Sequence, residues 1–302
     1  GLTEPDHRRA SRPFSSNCGF TISESTQFIV LFDDELALQL GAQIHGSVPD
    51  VFINADGYKK SISSPGIGNY LTVAKAVAAG AGIIGDKAIK TRSFVQSHGT
   101  STPQNRVTES HILNETAKTF GIENWPVAAI KAYIGHSIGA ASGDQLIASL
   151  GVWNDNILPG IATIDHIADD VHQSNLRLQK EHMEVEAGSL DVAILNAKGF
   201  GGNNASVTLL SPLLSEKMLK GRHGEKAWQA YLARREQVQA AAAAYDDAAC
   251  ETGLSVHYQF GENVLDGEDL EISRDGIAIK GWASKVALDF DSPYASWLPK
   301  QD

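Results

Sequence analysis

Two histidines stand at the ends of predicted strands. His98 follows an apolar strand pattern at residues 93–96 and leads into Gly-Thr-Ser-Thr-Pro; His136 ends the segment Lys-Ala-Tyr-Ile-Gly-His, which begins at Lys131. Open α/β sheets place ligand-binding groups at strand ends, and an imidazole can exchange protons near neutral pH. Taken singly, His98 is better explained by a structural role. Tight helix packing with an incidental histidine explains His136 as well as catalysis does.

A glycine-rich segment is a third candidate for chemistry. Residues 196–204 read Asn-Ala-Lys-Gly-Phe-Gly-Gly-Asn-Asn and link two apolar strand patterns. Closely spaced glycines can aim backbone N–H groups at an anion. On spacing alone an ordinary hairpin is the better explanation, since such turns commonly join strands.

The elements that must position these groups alternate between strand and helix from Gly19 to about Pro212, which predicts an α/β domain. Strands are predicted at residues 27–32, 47–55, 93–96, 127–132, 157–164, 191–196 and 205–210. Helices are predicted at residues 33–41, 69–85, 105–120 and 140–153, with a polar loop at 61–68.

After Pro212 the composition changes to more charged residues and a run of alanines, which predicts a domain boundary there. One long helix is predicted at residues 227–250, followed by short strands at 270–272 and 276–282. The predicted domains are therefore 1–212 and 213–302.

Composition limits the classes of partner. The 302 residues are 42% hydrophobic and 20% charged, which favours a globular protein with a real core. A net charge of −11 disfavours nucleic acid as a partner. Its apolar runs are too short to predict a membrane span. The two cysteines, Cys18 and Cys250, cannot form a disulfide framework, which predicts a reducing cytoplasm.

Taken together, the motifs resemble the condensing enzymes that make β-ketoacyl thioesters on acyl carrier protein, the β-ketoacyl synthases. His-Gly-Thr-Ser-Thr-Pro at 98–103, Lys-x-x-x-Gly-His at 131–136 and Gly-Phe-Gly-Gly-x-Asn at 199–204 occur in that family's order and spacing. Residues 12–24 resemble its segment leading into the second half. The resemblance covers about residues 11–212 and implies the carboxyl-terminal half of a thiolase-like, layered αβαβα fold. The pattern of residues 213–302 adds a mixed helix and strand extension.

The resemblance implies catalytic roles for five residues. His98 and His136 would donate hydrogen bonds to the thioester oxygen of a malonyl group, where enolate charge develops. Lys131 would support the pair and Glu109 would accept from Lys131, unless the two form a plain surface ion pair. The backbone N–H of Phe200 would contribute to an oxyanion hole, and its ring would gate the acyl pocket.

The resemblance also implies the substrate-binding residues and the partners. Thr100 and Thr102 would line the pantetheine arm, and Gly199 and Gly201 would bind substrate beside Phe200. The expected partners are acyl carrier protein, acyl-CoA or acyl carrier protein bearing the first acyl group, malonyl carrier protein, and a second copy in a homodimer. No metal and no cofactor beyond the carrier's phosphopantetheine is expected, and no membrane or nucleic acid.

Two residues depart from the family pattern, and the nucleophile is not found. Arg106 stands where the family usually has aspartate, and Lys198 where it usually has phenylalanine, so the local charge and any cation site differ. The family's cysteine belongs to its first half, whereas Cys18 and Cys250 fall elsewhere and are interpreted as inert thiols. The expectation is a synthase that is inactive alone, with the thiol supplied from a segment before Gly1.

Two alternatives remain open at this stage. A non-catalytic partner that shapes an acyl tunnel, like the chain-length subunits of polyketide systems, would not need both histidines. A thiolase would carry a cysteine where Phe200 stands. Possible basic patches for an acidic carrier protein are Arg8, Arg9 and Arg12, or Lys87, Lys90 and Arg92, although such clusters are usually solvated surface.

Overall fold

The chain forms two compact units, residues 1–241 and 242–302. The computed structural model describes residues 6–16, 19, 21–57, 66–253 and 260–298. The predicted boundary at Pro212 coincides with the start of the last long helix, and the first unit continues beyond it to residue 241.

Six α-helices lie within the described residues. They are α1 (Asp34–Leu40), α2 (Ile67–Ile84), α3 (Pro103–Phe120), α4 (Lys131–Ile134), α5 (Ala141–Asp155) and α6 (Pro212–Thr252). Helix α3 begins cleanly because the Thr102 hydroxyl accepts the Asn105 N–H and Pro103, which lacks an N–H, occupies the first turn. Helix α6 is interrupted at Gly224, where φ is +80°.

The first unit is built on a six-stranded mixed sheet in the order β1-β8-β7-β2-β3-β5. Its strands are β1 (Ser47–Ala55), β2 (Ser93–Gln96), β3 (Trp125–Ala128), β5 (Leu176–Arg177), β7 (Val192–Gly199) and β8 (Asn203–Leu210). Strand β2 lies in the middle, parallel to β3 and β7, so its carboxyl end reaches the centre of the sheet edge. The short strands β4 (Ile157–Leu158) and β6 (Met183–Glu184) pair separately.

Helices cover both faces of this sheet because its central strands are apolar on both sides. Val95 and Ile194 belong to the core beneath α2 and α3, whereas Phe94 and Leu195, one residue away, pack with Val152 of α5. Helix α2 is the one described helix long and apolar enough to cross a membrane by length and composition. In this structure it packs on β1 and β8 and forms part of the core.

Several predicted elements agree with the structure, and three do not. The bounds of β1 and β2 are those predicted. Residues 27–32 form no strand, because no described strand pairs with them, and their side chains are largely exposed. The predicted strand at 127–132 ends early and gives way to helix α4, and only the first two residues of 157–164 are in a strand.

The long predicted helix begins earlier than expected, since α6 starts at Pro212. Within the first unit Trp228 and Tyr231 of α6 are buried against Leu38 of α1, and the Tyr231 hydroxyl donates to the Ala42 carbonyl at 2.9 Å. The second unit contains a three-stranded antiparallel sheet of β9 (Leu270–Ile272), β10 (Gly276–Ile279) and β11 (Val286–Ala287). The polar loop predicted at 61–68 falls mostly outside the described residues.

Candidate active site

The structure brings the rings of His98 and His136 together from two different elements. His98 follows the carboxyl end of β2 by two residues, and His136 follows α4 after a turn at Gly135, where φ is +72°. The ring centroids are 5.5 Å apart and the ring planes are nearly perpendicular, at 87°. The two imidazoles are therefore neighbours, in an edge-to-face arrangement, at the edge of the sheet.

Backbone hydrogen bonds determine which ring nitrogen carries the proton. The N–H of Lys198 donates to Nδ1 of His98 at 3.3 Å, and the N–H of Ile138 donates to Nδ1 of His136 at 3.0 Å. In a neutral imidazole one nitrogen accepts and the other donates. With Nδ1 accepting in both rings, Nε2–H is the donor in both.

Both imidazoles are neutral at physiological pH. Burial holds the pKa of His98 well below its usual value, and the positive charges of Lys131 and Lys198, and of His136 when it is protonated, lower it further. Burial likewise lowers the pKa of His136 to about 4, with Lys131 adding to the effect and Asp144 opposing it. The site thus presents two uncharged N–H donors.

Glu109 anchors the backbone of the His98 loop. Its carboxylate is fully buried and accepts from the N–H of His98 at 2.7 Å and of Gly99 at 2.9 Å. The side-chain amides of Asn105 and Asn196 donate to the same group at 2.9 and 2.8 Å. Four N–H donors on one buried carboxylate compensate for its desolvation and hold the loop rigidly.

The expected hydrogen bond from Lys131 to Glu109 is not formed, because those four donors occupy the carboxylate. Nζ of Lys131 is buried and has no hydrogen-bond partner among the described residues. Burial lowers the pKa of Lys131 to about 8, although the negative charges of Glu109 and Asp144 raise it. Since both Lys131 and Glu109 are buried, the alternative of a surface ion pair is wrong.

The loop of His136 is held by the segment that precedes α1. The His136 N–H donates to the Thr21 carbonyl at 2.7 Å, and the Ser23 N–H donates to the His136 carbonyl at 3.0 Å. The chains approach so closely that a Cβ on Gly135 would lie 2.8 Å from the Thr21 carbonyl oxygen. A residue with a side chain at 135 would therefore displace His136.

Gln145 of α5 joins the ends of the two central strands. Its side-chain nitrogen donates to the carbonyls of Gln96, Ser97 and Asn196 at 3.1, 2.7 and 2.9 Å, and the side chain is 1% exposed. Gln96 and Ser97 lead directly into His98, and Asn196 binds Glu109. This amide therefore fixes the strand ends from which the His98 loop starts.

The predicted substrate-binding residues lie in the segments that follow β2 and at the end of β7. Thr100 is buried and Thr102 half-buried, and their hydroxyl oxygens are 3.2 Å apart at the start of α3. Gly199 ends β7, and Gly201 has a φ of +78° in the turn to β8. The Phe200 side chain is exposed at the tip of this turn. The roles of these residues remain predictions.

The two departures from the family pattern lie beside the site. The Arg106 guanidinium donates two hydrogen bonds to the Asp170 carboxylate, at 2.7 and 2.8 Å. The charge of Arg106 is therefore paired with that of Asp170. Nζ of Lys198 donates to the Thr108 hydroxyl at 3.1 Å. Cys250 is an exposed free thiol in α6, and Cys18 lies outside the described residues.

Among the residues that the structure describes, no three His, Cys, Asp or Glu side chains are arranged to hold a metal ion. Sequence reasoning missed Asn105, Asn196, Gln145 and the Thr21 carbonyl. Of these only Asn105 carried a local signal, since it lies one helical turn before Glu109.

The sequence and the fold of this chain match those of known proteins. Residues 45–165 match the family model described as beta-ketoacyl synthase, C-terminal domain. The beta-ketoacyl-(acyl-carrier-protein) synthase FabY of Pseudomonas aeruginosa is 53% identical over 298 residues, which are 99% of this chain and 47% of that protein. The 3-oxoacyl-(acyl-carrier-protein) synthase 2 of Synechocystis is 29% identical over 206 residues, 67% of this chain and 46% of that protein. The crystal structure of the noncanonical ketosynthase FabY from P. aeruginosa matches with a TM-score of 0.92 and 53% identity, over 98% of this chain and 46% of that chain.

The fold is therefore that of the thiolase-like class. The chain belongs to the beta-ketoacyl synthase family, whose C-terminal domain it carries. It spans about half the length of the curated relatives it matches.

Proposed function

We propose that this chain supplies the malonyl-decarboxylating half of the active site of a β-ketoacyl-(acyl carrier protein) synthase in fatty acid biosynthesis. The observation that carries the proposal is the convergence of two neutral imidazoles, 5.5 Å apart, each with its N–H on Nε2. The names of the relatives, which are synthases acting on acyl carrier protein, support the same reaction.

The chemistry requires stabilisation of an enolate. When the bond between the malonyl carboxylate and Cα breaks, CO₂ leaves and the electron pair passes to the thioester, whose oxygen becomes negative. Nε2–H of His98 and Nε2–H of His136 donate to that oxygen. Neutral donors fixed in advance favour this charge, because they need no reorganisation as it develops.

Condensation follows when the enolate carbon attacks an acyl thioester. The new carbon–carbon bond expels the acyl group's thiolate, which family resemblance assigns to a cysteine of the other half of the fold. The Phe200 N–H would stabilise the oxyanion of this step. Because the chain spans about half of its relatives, we propose that condensation needs that other half.

The test measures release of CO₂ from malonyl carrier protein by this chain combined with an amino-terminal half like that of its relatives. His98→Asn and His136→Asn each remove a donor at Nε2 and are expected to lower the rate by about 10² to 10³. His98→Gln, whose amide nitrogen lies near the Nε2 position, is expected to retain more activity than His98→Asn. Equal activity of both asparagine variants and the parent would refute the proposal.

The same experiment separates the alternatives. A non-catalytic chain-length subunit would tolerate both asparagine substitutions without loss of product. A matched control is His45→Asn, at a position before β1 and outside the site, which is expected to leave the rate unchanged. Activity of this chain alone in the condensation assay would contradict the need for a second half.

Acyl carrier protein is the proposed macromolecular partner, and a homodimer the proposed assembly. Three arginines of the predicted basic patches form ion pairs with nearby carboxylates. The pairs are Arg8 with Asp6, Arg9 with Asp165, and Arg92 with Asp191. Such pairing reduces the charge available to an acidic partner. We therefore expect acyl carrier protein to bind these arginines more weakly than their clustering in the sequence indicates.

A further inference from the structure

We propose that Lys198 is a positioning residue for His98, in which the backbone holds the imidazole and the ammonium braces the end of β7 against α3. The inference rests on the proposed function and adds a residue to that site. Lys198 stands where the resemblance leads one to expect phenylalanine. The family pattern therefore predicts neither a side-chain donor nor a side-chain charge at this position.

Hydrogen bonds link the His98 imidazole, Lys198 and helix α3 to one another. The Lys198 N–H donates to Nδ1 of His98 at 3.3 Å, and Nζ of Lys198 donates to the Thr108 hydroxyl at 3.1 Å. The residue after Thr108 is Glu109, whose carboxylate accepts the backbone N–H of His98 at 2.7 Å. His98 is thus held at its ring by β7 and at its backbone by α3, and the Lys198 side chain joins these two elements.

Thr108 is a well-fixed partner for this ammonium. It is buried, and its hydroxyl donates to the Asn105 carbonyl at 3.3 Å, so the hydroxyl oxygen is free to accept from Lys198. Phenylalanine or methionine at 198 would fill similar space without bonding to α3. The backbone N–H at 198 would then be positioned by the pairing of β7 with β8, without the additional bond to α3.

The charge of Lys198 also acts on His98. The groups that face the imidazole are Lys131 of α4, His136, Glu109 of α3, which binds the His98 backbone, and Lys198 of β7. Burial is the largest cause of the low pKa of His98, and the charges of Lys131 and Lys198, and of His136 when it is protonated, lower it further. Loss of the Lys198 charge therefore raises that pKa.

The experiment compares Lys198→Met, Lys198→Arg and Thr108→Val in the combined protein. For Lys198→Met we expect a kcat for CO₂ release about tenfold lower, a KM within about twofold, and a titration of the His98 ring, followed by its ¹⁵N shifts, displaced to higher pH. Lys198→Arg is expected to restore the His98 titration. Thr108→Val keeps the charge but removes the acceptor, so kcat falls while the His98 titration stays in place.

A second measurement does not depend on catalysis. Imidazole ¹⁵N spectra of this chain report which nitrogen of His98 is protonated, and the Lys198→Met spectrum is expected to lose the uniform Nε2–H form. The inference is overturned if Lys198→Met leaves both this spectrum and kcat like those of the parent. If instead His98→Asn is fully active while the spectra change as expected, the proposed function fails and the positioning role of Lys198 stands.

Discussion

Glu109→Gln tests whether one buried carboxylate fixes the His98 loop. The substitution preserves size and replaces one of the two oxygens with an NH₂ group. All four partners of Glu109 are N–H donors, so an NH₂ group on either side faces two of them. The outcome depends on which of these donors can turn to accept.

The structure decides which side of the amide is the less costly. On one side the donors are the His98 N–H and Asn196, whose own oxygen already accepts from Asn69 at 2.7 Å and cannot turn away without loss. On the other side are the Gly99 N–H and Asn105, whose oxygen is buried and has no partner in the described part of the chain. Asn105 can therefore reverse, and the NH₂ group is expected on that side.

The substitution then removes one hydrogen bond to residue 109 and weakens the other three. The Gly99 N–H is left buried without an acceptor, at about 1–3 kcal/mol, and the remaining bonds lose their charge assistance. The free energy of unfolding is expected to fall by about 3 kcal/mol, a large share of the 5–15 kcal/mol typical of a domain. CO₂ release is expected to fall about 10²-fold, because Gly99 no longer fixes the loop next to His98.

Urea unfolding of this chain measures the first quantity, and CO₂ release by the combined protein measures the second. Glu123→Gln is the matched control, since it makes the same charge change at an exposed position just after α3. A Glu109→Gln variant within 1 kcal/mol of the parent, with full activity, would show that the four bonds do not position His98.

Four further predictions follow from individual groups. Because the folded-state pKa of Lys131, about 8, lies below 10.5, its burial costs stability below pH 8, and that cost fades as the pH rises to 10.5. Lys131→Met is therefore expected to raise the free energy of unfolding by about 1–3 kcal/mol at pH 7, with the gain vanishing near pH 10.5 in urea titrations. Gln145→Leu removes an NH₂ group whose two hydrogens are shared among three buried carbonyls, so unfolding in urea is expected to need about 2–4 kcal/mol less, whereas exposed Gln104→Leu changes little. Decarboxylation is expected to fall as the pH drops through about 4, because a proton on Nδ1 of His136 would oppose a backbone N–H; a flat profile down to pH 3 would contradict this. Gly135→Ala is expected to abolish CO₂ release while unfolding remains cooperative by circular dichroism, since the added Cβ would meet the Thr21 carbonyl.

The sequence by itself determined some of the strands and the chemical groups that follow β2. A run of β-branched and aromatic residues favours a strand through its own residues alone, so β1 and β2 were predicted with their observed bounds, although β2 is buried and β1 is mostly exposed. The same local logic placed His98 after a strand and, with the glycine-rich motifs, indicated the family. It failed for residues 27–32, because a strand also requires a neighbour and no pattern within a segment states whether one is present.

Only the tertiary structure decided how the site is held. Glu109 accepts from Asn196, 87 residues away, and His136 is fixed by the Thr21 carbonyl, so neither contact leaves a mark in the local sequence. The resemblance suggested that Glu109 would bind Lys131, yet the carboxylate is already occupied by four other donors. Which donors reach a buried acceptor is a matter of three-dimensional proximity, and proximity between distant segments exists only once the sheet has formed.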